Sequence, residues 1–178
     1  MNVKPPIISV CLELSNLCFV GCPYCLLEEK KPNSSKGQVM KIIDTLLSYK
    51  VKRYSIGGGE PLSVPYVYDI GEYIIKNGGI SLLRTSAVIP IDLDKAKESF
   101  NIIDVSIDSS DLRVLKKCKP NADVEVILNN IQRLTANNIK TRCNILITKY
   151  NYQSVLQTIS FLHSISIDHI RIQKLVPR

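Results

Sequence analysis

The alternation of strand-like and helix-like segments is the feature that most limits the folds open to this chain. Segments rich in β-branched and aliphatic residues recur between segments whose apolar residues repeat with helical spacing. The predicted strands are 7–14, 53–56, 80–85, 102–107, 140–148 and 169–175, and the predicted helices are 38–49, 64–76, 92–100, 123–137 and 154–164. Such an alternation is typical of βαβ units with right-handed crossovers and a parallel sheet. The sequence therefore predicts an α/β fold, a partial (β/α)6 TIM-like barrel of parallel strands.

The length and composition fit one globular domain. The chain has 178 residues, of which 45% are hydrophobic and 22% are charged. No apolar run approaches the roughly 18 residues that a membrane-spanning helix needs. The first residues also lack the apolar stretch of a signal peptide, so we expect a cytoplasmic protein without a membrane partner. Residues 1–174 form the predicted domain, whereas 175–178 match the remnant of a thrombin cleavage site or begin a truncated C-terminal extension.

The net charge indicates which partners the protein favours, and the cysteine count indicates which chemistry it supports. A net charge of +7 favours an anionic partner such as a nucleotide, a phosphorylated substrate or RNA, although a lysine-rich solvated surface gives the same charge. Nucleic acid is the least favoured of these partners, but it is not excluded. In a reducing cytosol, six cysteines indicate metal binding or catalysis more than a disulfide framework. Three of them, Cys11, Cys118 and Cys143, are predicted to pack in the core, with Cys118 in a basic loop.

The other three cysteines lie within eight residues. Cys18, Cys22 and Cys25 have the spacing C-x3-C-x2-C, and thiolates are soft ligands for iron–sulfur clusters, zinc and copper(I). A structural zinc site needs four protein ligands, so three thiolates leave one coordination position open. Three other interpretations stand beside a reactive metal centre. They are a zinc site with a distant fourth ligand, a disulfide plus a free thiol, and unconnected core cysteines.

Polar or glycine-rich segments follow the other predicted strands. In such barrels, functional residues gather at the carboxyl ends of the strands. These segments are Gly57–Leu62, Arg84–Ser86, Ser106 with Asp108, and Asn144. Each also has a structural interpretation, such as a glycine turn, a hydroxyl that caps a strand end, or an aspartate that caps the next segment. Asn151 is predicted to cap the last helix.

The cysteine spacing, the aromatic residue before the last cysteine and the Gly-Gly-Glu-Pro run resemble the radical S-adenosylmethionine (radical SAM) superfamily. The resemblance implies that Cys18, Cys22 and Cys25 hold three irons of a 4Fe–4S cluster, and that S-adenosylmethionine chelates the fourth iron. It also implies that Glu60 with its glycines orients the cofactor's amino group and that Tyr24 packs near the adenine. The full set of implied cofactor contacts is Tyr24, Gly58, Gly59, Glu60, Pro61, Thr85, Ser106, Asp108 and Asn144.

The same resemblance implies an activity. A flavodoxin- or ferredoxin-like donor supplies an electron, S-adenosylmethionine is cleaved, and the 5′-deoxyadenosyl radical abstracts hydrogen from a substrate. The Ser-Ile-Asp segment favours a peptide, a cofactor precursor or another small substrate, whereas the short chain favours a glycyl-radical activating enzyme or a deazapurine synthase. Two alternatives stay open: a non-enzymatic zinc module, and a degenerate member that binds the cluster without turnover.

Overall fold

One parallel sheet of six strands organises the fold. The computed structural model describes residues 7–27, 34–167 and 169–175. The strands are β1 (Ser9–Ser15), β2 (Arg53–Gly58), β3 (Ile80–Thr85), β4 (Ile102–Ser106), β5 (Thr141–Ile147) and β6 (His169–Lys174). The helices are α1 (Lys36–Ser48), α2 (Val67–Lys76), α3 (Leu93–Ser99), α4 (Leu112–Cys118), α5 (Val124–Ala136) and α6 (Val155–Ser164). The sheet order β1-β2-β3-β4-β5-β6, with every neighbouring pair parallel, confirms the predicted partial barrel.

The two faces of the sheet differ in chemistry. Side chains on the outer face are mostly apolar and buried beneath the helices, as Ile56 on β2 and Leu83 on β3 show. Side chains on the inner face are largely polar, because successive residues of a strand point to opposite sides. Arg53, Ser55 and Arg84 illustrate this inner face. Helices thus cover one side of the sheet, and the other side lines the interior of the barrel.

Short polar side chains fix where the helices begin. Ser35 and Gln38 form a capping box at the start of α1. The carboxylates of Asp92, Asp111 and Asp123 accept backbone N–H donors at the first turns of α3, α4 and α5. These caps set the direction in which each helix returns to the sheet.

Two predictions about residues near the site are wrong. The basic segment after the fourth strand is helix α4 rather than a loop, since Asp111 caps it and Leu115 packs it into the core. Cys11 is exposed, because it lies on the inner face of β1, whereas the next residue, Leu12, lies on the outer face and is buried. Cys118 and Cys143 are buried, as predicted. Residues 175–178 are interpreted above as a thrombin-site remnant or the start of a truncated extension. Of these four, only Leu175 belongs to the described residues.

The helices of the described segments are all too short or too polar to cross a membrane.

The contact between α2 and α3 gives a test of the fold. A Cβ added at Gly71 would lie 2.3 Å from the carbonyl oxygen of Ser99 and 2.6 Å from the Phe100 ring. Gly71→Ala should therefore lower the free energy of unfolding by about 1–3 kcal/mol, measured by urea denaturation. Gly37→Ala, in the first turn of α1, meets no atom within 4 Å and should leave stability equal or slightly higher. Equal midpoints for the two variants would show that α2 and α3 do not pack this closely.

Candidate functional site

The cysteine loop that follows β1 brings three thiols together. Gly21 adopts a φ of 74°, and the backbone N–H of Cys25 donates to the carbonyl of Cys22 at 3.1 Å, so the loop turns back on itself. Burial raises the pKa of Cys18, and it raises the pKa of Cys22 to about 11, against the opposing effect of the Lys119 ammonium. The neighbouring thiols of Cys18 and Cys25 each raise the pKa of Cys22 further. Metal ligation here must displace thiol protons.

The state of the cysteines bears on the interpretations of the cysteine motif, which are a disulfide, a zinc site and an iron–sulfur cluster. All six cysteines are free, so the disulfide interpretation is wrong. In the ranges that the structure describes, no three His, Cys, Asp or Glu side chains converge on a point where one ion could bind. A mononuclear zinc site needs such convergence, whereas a cubane cluster binds its thiolates through separate irons. The three thiols on this loop, two half-buried and one exposed, offer the soft donors that an iron–sulfur cluster needs.

The glycine-rich turn after β2 is bonded directly to the cysteine loop. The N–H of Gly59 donates to Ser15 at 2.6 Å, and the N–H of Glu60 donates to Leu17 at 3.0 Å. A Cβ at Gly58, which has a φ of 115°, would lie 2.2 Å from the Ser15 carbonyl oxygen, and one at Gly59 would lie 2.1 Å from that of Leu17. The protein's own backbone thus requires both glycines, and the turn holds the residues that lead into Cys18.

The side chain of Glu60 connects this turn to the end of β3. Its carboxylate is fully buried and accepts hydrogen bonds from the Leu62 N–H at 3.2 Å, the Thr85 hydroxyl at 2.6 Å and the Ser86 N–H at 2.9 Å. Burial raises the pKa of Glu60, and these hydrogen bonds act in the opposite direction. Both carboxylate oxygens have protein donors. Pro61, which is buried, begins a short 3-10 turn directly after Glu60.

A second buried carboxylate, Asp108, joins the cysteine loop to β4 and β5. It accepts a hydrogen bond from the Tyr24 hydroxyl at 2.6 Å and one from the Leu146 N–H at 3.0 Å. The Lys119 ammonium lies 3.4 Å from the same carboxylate. Burial, followed by the neighbouring Asp108 charge, raises the pKa of Tyr24. The hydroxyl of Tyr24 therefore stays protonated and keeps the ring in a fixed position.

Lys119 is the residue that sequence reasoning missed. Its side chain is only 1% exposed, and its ammonium lies 3.2 Å from the Ser106 hydroxyl as well as next to Asp108. Its charge also lowers the pKa of Cys18 in the cysteine loop and of Glu60 in the turn after β2, so it acts on both segments. In the sequence it is one of three lysines near the end of α4. Nothing in that run distinguishes it from the exposed Lys116 and Lys117.

Two asparagines complete the edge of the sheet at β5. Asn144 lies on the inner face and donates to the Asp104 carboxylate, while its buried carbonyl oxygen has no partner among the described residues. Asn151 does not cap the last helix as predicted. Its side chain instead accepts from the Thr148 N–H at 2.7 Å and donates to the carbonyls of Asp108 and Leu146, at 2.7 and 2.8 Å. It is buried between two strand ends, where these backbone groups need partners.

A cavity of about 340 Å³ lies beside Tyr24. It is lined by Pro23, Tyr24, Thr148, Lys149, Tyr150 and Leu175. A volume of this order admits a small heterocycle. The cavity lies between the cysteine loop and the segment after β5, next to the predicted cluster ligands.

The predicted site residues thus fall into two groups at the carboxyl edge of the sheet, and Lys119 acts electrostatically on both. Gly58, Gly59, Glu60, Pro61 and Thr85 form the group around the turn after β2. The second group is Tyr24, Ser106, Asp108, Cys18 and Cys22 around Lys119, with Cys25 on the same loop and Asn144 on the inner face.

The hydrogen bonds of Glu60 predict a stability effect. Glu60→Gln removes the charge that three donors share and should lower the free energy of unfolding by about 1–3 kcal/mol, measured by urea denaturation. Glu98→Gln, at an exposed position on α3, is the matched control and should unfold like the wild type. A Glu60→Gln variant as stable as this control would rule out a structural role for the carboxylate.

Curated relatives resemble this chain over part of their length. A probable GTP 3′,8-cyclase from Methanocaldococcus jannaschii is 30% identical over 134 residues, which cover 70% of this chain and 44% of that protein. A GTP 3′,8-cyclase from Clostridium perfringens is 22% identical over an alignment that covers 93% of this chain and 54% of that protein. The chain therefore spans about half the length of the curated relatives it matches.

Solved structures share the fold. SuiB from Streptococcus suis, bound to the precursor peptide SuiA, superposes with a TM-score of 0.81 at 17% identity, over 96% of this chain and 40% of that one. SuiB bound to S-adenosylmethionine gives a TM-score of 0.79 at 17% identity, over 97% of this chain and 41% of that one. The anSMEcpe structure with bound AdoMet and a Cp18Cys peptide gives 0.78 at 14% identity, over 97% of this chain and 52% of that one.

The family model for the whole superfamily settles the assignment that the cysteine and glycine motifs predicted. It matches residues 12–162, which contain all six cysteines except Cys11 and every predicted site residue. The superfamily uses a 4Fe–4S cluster and S-adenosylmethionine, in agreement with the predicted cofactors. This chain therefore belongs to the radical SAM superfamily.

Proposed function

We propose that residues 1–174 are the core domain of an enzyme that reductively cleaves S-adenosylmethionine and directs the resulting radical to a substrate. The observation that carries the proposal is a loop of three thiols at one edge of the barrel, with a buried lysine whose charge acts on two of them, Cys18 and Cys22. Cys18, Cys22 and Cys25 would hold the cluster. When bound, the cluster and S-adenosylmethionine supply one-electron cleavage to methionine and a 5′-deoxyadenosyl radical.

Lys119 supplies the charge that receives the methionyl carboxylate. A lysine ammonium has three donors, and in this structure it contacts Ser106 and Asp108. A further donor is thus available for an anionic group. An arriving carboxylate would accept from that donor and add a charge-assisted hydrogen bond beside the pair with Asp108. Ser106 offers a hydroxyl at the same place.

The nucleoside part of the cofactor fits beside Tyr24. The cavity there is bounded by the cysteine loop on one side and by the segment after β5 on the other. Asp108 fixes the Tyr24 ring through the hydroxyl, so the ring is ready to pack against an adenine. The unpartnered carbonyl oxygen of Asn144 is a buried acceptor for a sugar hydroxyl on the inner face.

The turn after β2 positions the amino group of the cofactor through its backbone. Both oxygens of Glu60 are engaged by Leu62, Thr85 and Ser86, so the carboxylate acts mainly by fixing the shape of Gly58–Gly59. Thr85 and Pro61 support the same turn. They are positioning residues in this proposal.

The partners proposed are a flavodoxin- or ferredoxin-like electron donor and a substrate that is a peptide or a small molecule. SuiB and anSMEcpe are crystallised with peptides, but their likeness to this chain is one of fold. The sequence relatives are named GTP 3′,8-cyclases, which favours a nucleotide-like small molecule as the second candidate.

Cofactor cleavage tests the proposal directly. Anaerobically reconstituted protein should be brown, and with dithionite and S-adenosylmethionine it should form 5′-deoxyadenosine, detected by liquid chromatography and mass spectrometry. The variant with alanine at Cys18, Cys22 and Cys25 should lose both iron and product, whereas Cys11→Ala should keep both. A colourless zinc protein would support the zinc module, and a brown protein without product would support a degenerate member.

Lys119 can be tested by steady-state kinetics of cofactor cleavage. Lys119→Met should raise the KM for S-adenosylmethionine by about 10–100-fold, the range expected for a lost charge-assisted hydrogen bond. Lys117→Met, at an exposed position two residues earlier, should leave the KM unchanged. Lys119→Arg keeps the charge and should recover part of the affinity, which a purely structural role would not predict. An unchanged KM in a folded Lys119→Met protein would refute the role.

A further inference from the structure

A second, larger cavity lies on the inner face of the barrel, toward the amino ends of the strands. Its volume is about 510 Å³. Its lining includes Ser9, Arg53 and Ile80, which are the first residues of β1, β2 and β3 and lie side by side in register. The cysteine loop follows the opposite end of β1. The cavity is therefore distinct from the cofactor site at the carboxyl edge.

Three arginines give this cavity a positive charge. Arg53, Arg84 and Arg142 all line it. Arg142 is paired with the buried Asp104 at 2.8 Å, whereas neither Arg53 nor Arg84 has a carboxylate partner in the described part of the chain. Three positive charges and one negative charge leave an excess of two positive charges. The closest polar contact of Arg84 is the Cys11 sulfur at 3.5 Å, which does not neutralise it.

Two buried polar atoms at the cavity also lack partners. Within the described ranges, the Ser55 hydroxyl and the Nε of Arg142 make no hydrogen bond. Ser55 and Arg142 both line the cavity. Leaving a buried donor unsatisfied costs about 1–3 kcal/mol, so an acceptor in the cavity would be stabilising. The unpaired guanidinium groups and these two donors require the same kind of partner, an anion rich in acceptor oxygens.

We propose that this cavity binds the phosphoryl group of a phosphorylated small molecule. A phosphoryl group carries a charge of about −1.5 to −2 at neutral pH, which matches the excess of two positive charges, whereas a single carboxylate carries only half of it. Guanidinium groups present paired N–H donors that fit phosphate oxygens. The volume suits a ligand of nucleotide or sugar phosphate size.

The cavity and the proposed cofactor site share the inner face of one sheet. Arg84 lies in register with Asp104, and Asp104 with Arg142, one row below Ser106 and Asn144. A molecule held by its phosphoryl group at the arginines would extend toward the carboxyl edge. The inference that this molecule is the substrate rests on the proposed function. The inference that the cavity binds a phosphoryl group does not.

Calorimetry with inorganic pyrophosphate tests the binding on reconstituted protein. The wild type should bind with a Kd below about 1 mM, and more weakly as salt is added. The double variant Arg53→Gln with Arg84→Gln should weaken binding by about tenfold or more. Arg113→Gln, whose side chain is 91% exposed on α4, is the matched control and should bind like the wild type. Arg142 is left intact because its loss would leave Asp104 buried without its cation.

Chemical labelling of Cys11 gives a second readout in the same cavity. Cys11 is exposed and lines the cavity, so pyrophosphate should slow its alkylation by N-ethylmaleimide, followed by peptide mass spectrometry. The double variant should lose this protection. Absence of binding by the wild type, equal binding by the double variant, or tighter binding of succinate than of pyrophosphate would overturn the proposal. Formation of 5′-deoxyadenosine, assayed without pyrophosphate, reports separately on the proposed function.

Discussion

Hydrogen bonds to two buried carboxylates hold the carboxyl edge of this barrel together. Glu60 accepts from its own turn and from the end of β3, and Asp108 accepts from the cysteine loop and from β5. A carboxylate in the interior is costly unless donors surround it, so each one selects a single arrangement of the loops it joins. Lys119 pairs with Asp108, and its charge also lowers the pKa of Glu60. The cysteine loop is thus positioned by polar contacts, and a hydrophobic core lies beneath it.

The division of the sheet into an apolar outer face and a polar inner face explains why the fold was readable from the sequence. Helical spacing and short β-rich segments placed all six strands and five of the six α-helices in the described ranges. Where both faces of a parallel sheet are covered, strands become continuous apolar runs. In this chain β1 and β2 alternate instead, because their inner residues face a cavity.

The site could be predicted from the sequence where the spacing of neighbouring residues indicates the chemistry. The three cysteines lie within eight residues of one another, and Gly58–Pro61 are consecutive, so each pattern is visible without a structure. The burial of Lys119 depends instead on how α4 packs, with Asp111 as its N-cap and Leu115 in the core. Asn151 likewise bonds across two strand ends, which only the tertiary fold brings together.

Gly58 and Gly59 pack closely against the backbone of Ser15 and Leu17. The cysteine motif and the glycine turn therefore form one structural unit. A cysteine octet grafted alone onto another barrel would lack the surface that fixes its first ligand. Lengthening the chain between Ser15 and Cys18 by a single residue would likewise displace that ligand without altering any thiol. In evolution the two segments must therefore change in step, although more than thirty residues separate them in the sequence.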